Sequence, residues 1–126
     1  MMISDNLHQK IKAIFSEHLA RHSEIECLCL STLDGFPVIN ILKNGISFEA
    51  DTMAAASSTL YSVSNAVARQ ILSKPFQTAF IESDNGNIIF TSLTIQENDY
   101  ILTASATDSM NIGQLRAIIK RIEIRE

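Results

Sequence analysis

The residues with the most chemical promise sit in one short stretch, "EHLARHSEIECLC", where His18 and His22 stand one helical turn apart and Cys27 and Cys29 follow. All four are good zinc-ligand types. Structural zinc sites, however, space their cysteines by two to four residues on a turn, so that both sulfurs converge. Here one residue separates the thiols within what reads as a strand, which puts both on one face but not at a shared point. His18 and His22 also fall inside the apolar stripe of Leu7, Ile11 and Leu19. The expectation is two half-buried histidines packed on a sheet and no metal. The cysteines are expected to be reduced, buried thiols, since their spacing does not suit disulfide geometry. That use of cysteine fits a reducing compartment.

Asp34, in "STLDGFPVINIL", could be a carboxylate held at a strand end or simply the corner of a hairpin. Asp-Gly between two apolar runs is a strong hairpin signal. Paired-carboxylate catalysis needs two acids at a set separation, which a hairpin tip seldom provides. No serine lies in a G-x-S-x-G elbow or an S-x-x-K pattern. Gly35, Gly45, Gly86 and Gly113 are too scattered for a P-loop or a dinucleotide fingerprint. "DNGN" lacks the alternate acids and distal glutamate of a calcium loop. No catalytic residue and no cofactor is expected.

The 126 residues suit one domain spanning the chain, 46% hydrophobic and 19% charged. A net charge of -4 with no basic face argues against nucleic acid as a partner. The absence of Trp and the presence of only two Tyr argue against an RNA-stacking platform. No apolar run approaches the ~20 residues that span a membrane, and "MMISDNLHQK" lacks a signal-peptide pattern. A cytoplasmic protein that does not engage membranes is expected.

Apolar residues at Leu7, Ile11, Ile14, Phe15 and Leu19 predict a helix from Leu7 to His22, capped by Ser4 or Asp5. "IECLCLST" and "FPVINIL" read as strands, the second an edge because Pro37 cannot donate to a ladder. "DTMAAASSTLYSVSNAVARQIL" is a long helix with Asp51 as its cap and Lys74-Pro75 as its stop. "QTAFIE", "NIIFTSLT" and "YILTASA" are three strands joined by turn-rich links. Asp108 is placed as the cap of a last helix whose inner side is Ile112, Leu115, Ile118, Ile119 and Ile122. The result is an α+β fold in the order α-β-β-α-β-β-β-α, on an antiparallel sheet of about five strands.

The long helix has no charged face. At 100° per residue, Met53, Ala56, Leu60, Val63, Val67 and Ile71 form a stripe able to pack on the sheet. Ala54, Tyr61, Ala68 and Leu72 lie beside it, and between Asp51 and Lys74 the only charge is Arg69. A helix with small neutral residues nearly all round is usually covered on more than one side. A second copy of the chain can supply the other cover. The interface expected for such a homodimer is Met53, Ala56, Leu60, Val63, Val67, Thr78 and Phe80, the last two from a poorly defended edge strand.

"CLCLSTLDGFPVINIL", "EADTMAAASSTLYSVSNAV" and "IIFTSLTIQENDYILTASATDSMNIGQLRAIIKRI" together resemble the Roadblock / dynein light-chain family over nearly the whole chain. The matching positions are Asp34, Gly35 and Pro37, then Ala54, Ala55 and Ala56, then Asn111, Gly113, Leu115 and Arg116. Ser57 to Ser64 is more polar than the family pattern, and the two histidines of the first helix depart from it. The resemblance implies a five-stranded antiparallel sheet with one helix on one face and two on the other, and a homodimer joined through the Ala-rich helix and its neighbouring edge strand. It also implies a non-catalytic scaffold or regulator of a small Ras-like GTPase. The polar side of the Ala-rich helix, Ser58, Ser62, Asn65 and Arg69, is where partner contacts are expected. The alternative is a small-molecule sensor, which would need a sizeable pocket with convergent polar groups.

Overall fold

The structure, a computed structural model, describes residues 3–124. Its elements are α1 (Asp5–Arg21), β1 (Ile25–Thr32), β2 (Pro37–Leu42), α2 (Ala50–Leu72), β3 (Thr78–Ser83), β4 (Gly86–Ile95), β5 (Asn98–Thr107) and α3 (Ile112–Lys120). The strands form one sheet in the order β2-β1-β5-β4-β3, and every neighbouring pair is antiparallel. Both edges fall where the sequence puts them, at the proline-bearing β2 and at β3.

Hairpin chemistry explains the order. Gly35 takes a φ of 97°, open to glycine at little cost, and the loop closes with the Thr32 N–H donating to the Phe36 carbonyl. Asp34 itself does not enter the left-handed region; it is a corner. The β4–β5 loop turns instead on Gln96 and Glu97, at φ 51° and 66°, two residues that the sequence does not flag for such backbone.

Ser4 caps α1 by accepting from the Leu7 N–H. Two other caps differ from expectation. Glu49, not Asp51, holds the N-cap position of α2, with no side-chain bond to the helix backbone. Asn111, not Asp108, caps α3 through a reciprocal capping box with Gln114, because the chain needs three more residues to leave β5 before it can coil. At its other end α2 stops on Ser73 in the left-handed region, φ 58°, just before Lys74-Pro75.

Alternation along the strands divides the sheet into two unlike faces. On one, Leu28, Leu30, Ile39, Ile89, Leu102 and Ala104 meet Leu7, Ile11, Phe15 and Leu19 of α1 and Leu115, Ile118 and Ile119 of α3. This is the main core, and the imidazole Nε2 of His8 adds a bond to the Val38 carbonyl at 3.2 Å. α2 lies alone on the other face, across β1, β2, β5 and β4.

Candidate functional site

The face beneath α2 mixes small and polar side chains with two large apolar ones, Ile101 and Phe90, which pair with Ser31 and Thr103 across the ladders and are both buried. Cys27, Cys29, Ser31 and Thr103 are all buried there. The Cys27 Sγ lies 3.0 Å from the Ser105 Oγ, and the Ser57 Oγ of α2 lies 3.1 Å from the Thr103 Oγ1. A helix can settle closely on such a surface only if its own inner residues are small. The inner side of α2 is accordingly Ala54 and Ser57, both buried, flanked by the half-buried Tyr61, Ser64, Asn65 and Ala68.

This inverts the sequence expectation for which stripe meets the sheet. Leu60, Val63, Val67 and Ile71 point away from it, with Val63 55%, Val67 51% and Ile71 75% exposed. Ala56 is exposed beside them, and Met53 is half-buried at the start of the stripe. Leu72, which the helical wheel set with Ala54, Tyr61 and Ala68 beside that stripe, is also exposed. The stripe continues onto the open edge of β3, where Phe80 and Ile81 are each 40% exposed and Thr78 is half-buried. Between them runs a groove of about 630 Å³ whose lining includes Val67, Leu72, Phe76, Thr78, Phe80 and Arg116. Sequence reasoning left Leu72, Ile81 and Arg116 out of the interface set; period-two alternation on β3 does place Ile81 on the α2 side of the sheet.

The polar side of α2 divides into two pairs. Ser58 donates to the Leu33 carbonyl and so ties the helix to the β1–β2 hairpin, where Gly35 lies against Ala55 and Ser58. Asn65 accepts from the Phe76 N–H at 3.3 Å, and the Tyr61 ring meets Phe76 edge-on at 4.9 Å, which fastens the segment after the helix back onto it. Ser62 and Arg69 face solvent.

The histidines and thiols lie on opposite faces of the sheet, so they cannot share a metal ion. His18 and His22 stack on each other, ring centroids 6.3 Å apart. Burial, then the nearby Arg21 and His22, lower the pKa of His18, whose buried Nδ1 has no partner among the described residues. Cys27 is lowered to about 7, mainly by the hydrogen bond it receives from Cys29 and against the cost of burial. Cys29 is pushed up, first by donating that bond and then by burial. Both thiols are free. Among the described residues no three His, Cys, Asp or Glu side chains gather at a metal site, and no helix is long and apolar enough to cross a membrane.

No family model matches the chain, and no curated protein matches it. Solved structures do match in shape. MglB in a tetrameric arrangement superposes with a TM-score of 0.81 at 13% identity, over 96% of this chain and 88% of that one. The gliding protein MglB of Thermus thermophilus gives 0.80 at 13% identity, over 96% and 88%. A Roadblock/LC7 domain from Streptomyces avermitilis gives 0.67 at 18% identity, over 86% and 90%. The one-helix and two-helix faces, the antiparallel sheet and these likenesses together establish that the chain has the Roadblock/LC7 fold.

Proposed function

We propose that this chain acts as a homodimer, joined through α2 and β3, that binds and regulates a small Ras-like GTPase without supplying catalytic groups. The observation that carries the proposal is the apolar stripe of Leu60, Val63, Val67 and Ile71 running onto Phe80 and Ile81 of an open sheet edge. Soluble monomers rarely leave so continuous an apolar surface in water. The interface consists of Met53, Ala56, Leu60, Val63, Val67, Thr78 and Phe80, extended by Ile71 and Leu72.

The GTPase half of the proposal rests on what the Roadblock resemblance implies and on the likeness in shape to MglB, a gliding protein. Ser62 and Arg69, solvent-facing on α2, are the first partner contacts; Ser58 and Asn65 contribute by holding the helix in place. Light scattering of the wild-type protein tests the dimer, and a monomer at micromolar concentration would end that proposal. Affinity capture from the source cell's extract tests the partner. A retained GTP-binding protein that is lost with Arg69→Glu supports regulation through this surface. Equal retention by wild type and Arg69→Glu rejects the surface.

A further inference from the structure

The open edge of β3 specifies how a second copy must lie against it. The β3–β4 loop has two residues, Asp84 and Asn85, and closes on Ser83 opposite Gly86. A closing pair of this kind is hydrogen-bonded. Bonding then alternates along an antiparallel ladder, so Ile81 and Ala79 direct their N–H and C=O groups to β4. Thr78, Phe80 and Glu82 direct theirs outward, to the open edge. Alternation also places the side chains of these three residues on the α3 side of the sheet, because they oppose Thr91, Ile89 and Asn87, of which Ile89 belongs to the main core.

The charges around that edge are one-sided. Among the described residues, the groove along it is lined by Lys74 and Arg116 and by no acid. An adjoining groove of about 360 Å³, which shares Phe76, Gln77, Thr78 and Arg116, adds Lys120 and again no acid. Lys74, Arg116 and Lys120 form no ion pair among the described residues, where the pair recorded is Arg21 with Glu17. Glu82, at the far end of the same strand face, is exposed and likewise makes no ion pair. In a chain of net charge -4, a cationic groove at one end of a strand and a lone carboxylate at the other are complementary halves.

We propose that two copies pair through β3 in a single register, Phe80 facing Phe80 of the partner subunit and Thr78 facing the partner subunit's Glu82, whose carboxylate completes the groove beside Arg116. This inference rests on the homodimer proposed above and fixes its geometry. Only this register lets all three outward residues of each strand exchange backbone bonds. A slip of two residues one way opposes Phe80 to the partner's Glu82, leaving a carboxylate against an aromatic ring. A slip the other way opposes Thr78 to the partner's Phe80 and leaves Glu82 beyond the paired strand.

Three single-cysteine variants read the register directly, since a cross-strand disulfide needs Cα atoms within about 7 Å. Under mild oxidation Phe80→Cys forms a covalent dimer fastest; Ala79→Cys and Ile81→Cys, each the centre of a slipped register, lag. Charge reversal gives a second measure. Glu82→Arg and Arg116→Glu each raise the dimer Kd about a hundredfold, because two like-charge contacts replace two ion pairs, and the double variant recovers to within about tenfold of wild type. Faster coupling at Ala79→Cys or Ile81→Cys, coupling at none of the three, or a double variant no tighter than the singles overturns the register while a dimer seen by light scattering still stands. A monomeric wild type overturns both.

Discussion

Under α1 and α3 the sheet carries Leu28, Leu30, Ile89 and Leu102; under α2 it carries Cys27, Cys29, Ser31, Thr103 and Ser105 together with Ile101 and Phe90. The first face gains its stability from volume, with Phe15 and Ile11 fully buried against it. The second buries Ile101 and Phe90 among small side chains and adds a hydroxyl pair and a thiol–hydroxyl contact. The lesson is a division of labour. One helix pair closes the main core, while a single helix meets the other face through small residues and keeps its large apolar ones turned outward.

The difference can be broken at four points. Phe15→Ala removes the largest fully buried side chain of the first face and costs about 3–5 kcal/mol, read as a lower urea midpoint with an unchanged slope. Val63→Asp has the opposite signature. It leaves the stability of the protomer within about 0.5 kcal/mol, because the site is open in a single copy, yet it sets an unpaired charge in the dimer at a cost of several kcal/mol. Light scattering then reports monomers; Ala56→Glu behaves likewise.

Between these lies the hydroxyl pair under α2. Ser57→Ala strands the buried Thr103 hydroxyl and costs about 1–3 kcal/mol, whereas Ser57→Ala combined with Thr103→Val is close to neutral. If the double variant is worse than the single, packing rather than polarity governs this face. The smallest effect belongs to His18. Its pKa is lowered in the folded protein from the ordinary 6.5, so the unfolded chain binds the proton more readily. The stability that the neutral ring contributes is present above pH 6.5 and is lost as pH falls below it, through the folded value. His18→Gln should flatten that part of the stability profile, measured by denaturant midpoint against pH.

Much of this architecture was legible from local chemistry. β1 matches its expected bounds residue for residue, Ile25–Thr32, because Asp34-Gly35 ends it and alternation with a buried Leu28 and Leu30 defines it. Pro37 marked β2 as an edge because a missing N–H is a property of one residue. The orientation of α2 was not legible. Ranking helix faces by hydrophobicity assumes that the largest side chains turn toward the sheet, and that holds only where the sheet beneath has depth to receive them. Here the sheet supplies its own bulk at Ile101 and Phe90 and a hydroxyl partner at Thr103, so Ser57 goes in and Val63 goes out. The α3 cap was missed for a related reason: Asp108 and Asn111 are both good capping residues, and the length of β5, not side-chain type, decides between them.

The two ends of the sheet are not equivalent, and this bears on how large an assembly can become. β2 opens with Pro37 opposite Ser31, next to an irregularity in the β1–β2 register. An edge with a missing donor and a disturbed ladder is a poor template for a further strand. β3 has no such block. In the dimer proposed above, two β3 edges meet and the resulting ribbon of ten strands ends at a proline-bearing β2 on either side, which leaves no open edge for a further strand.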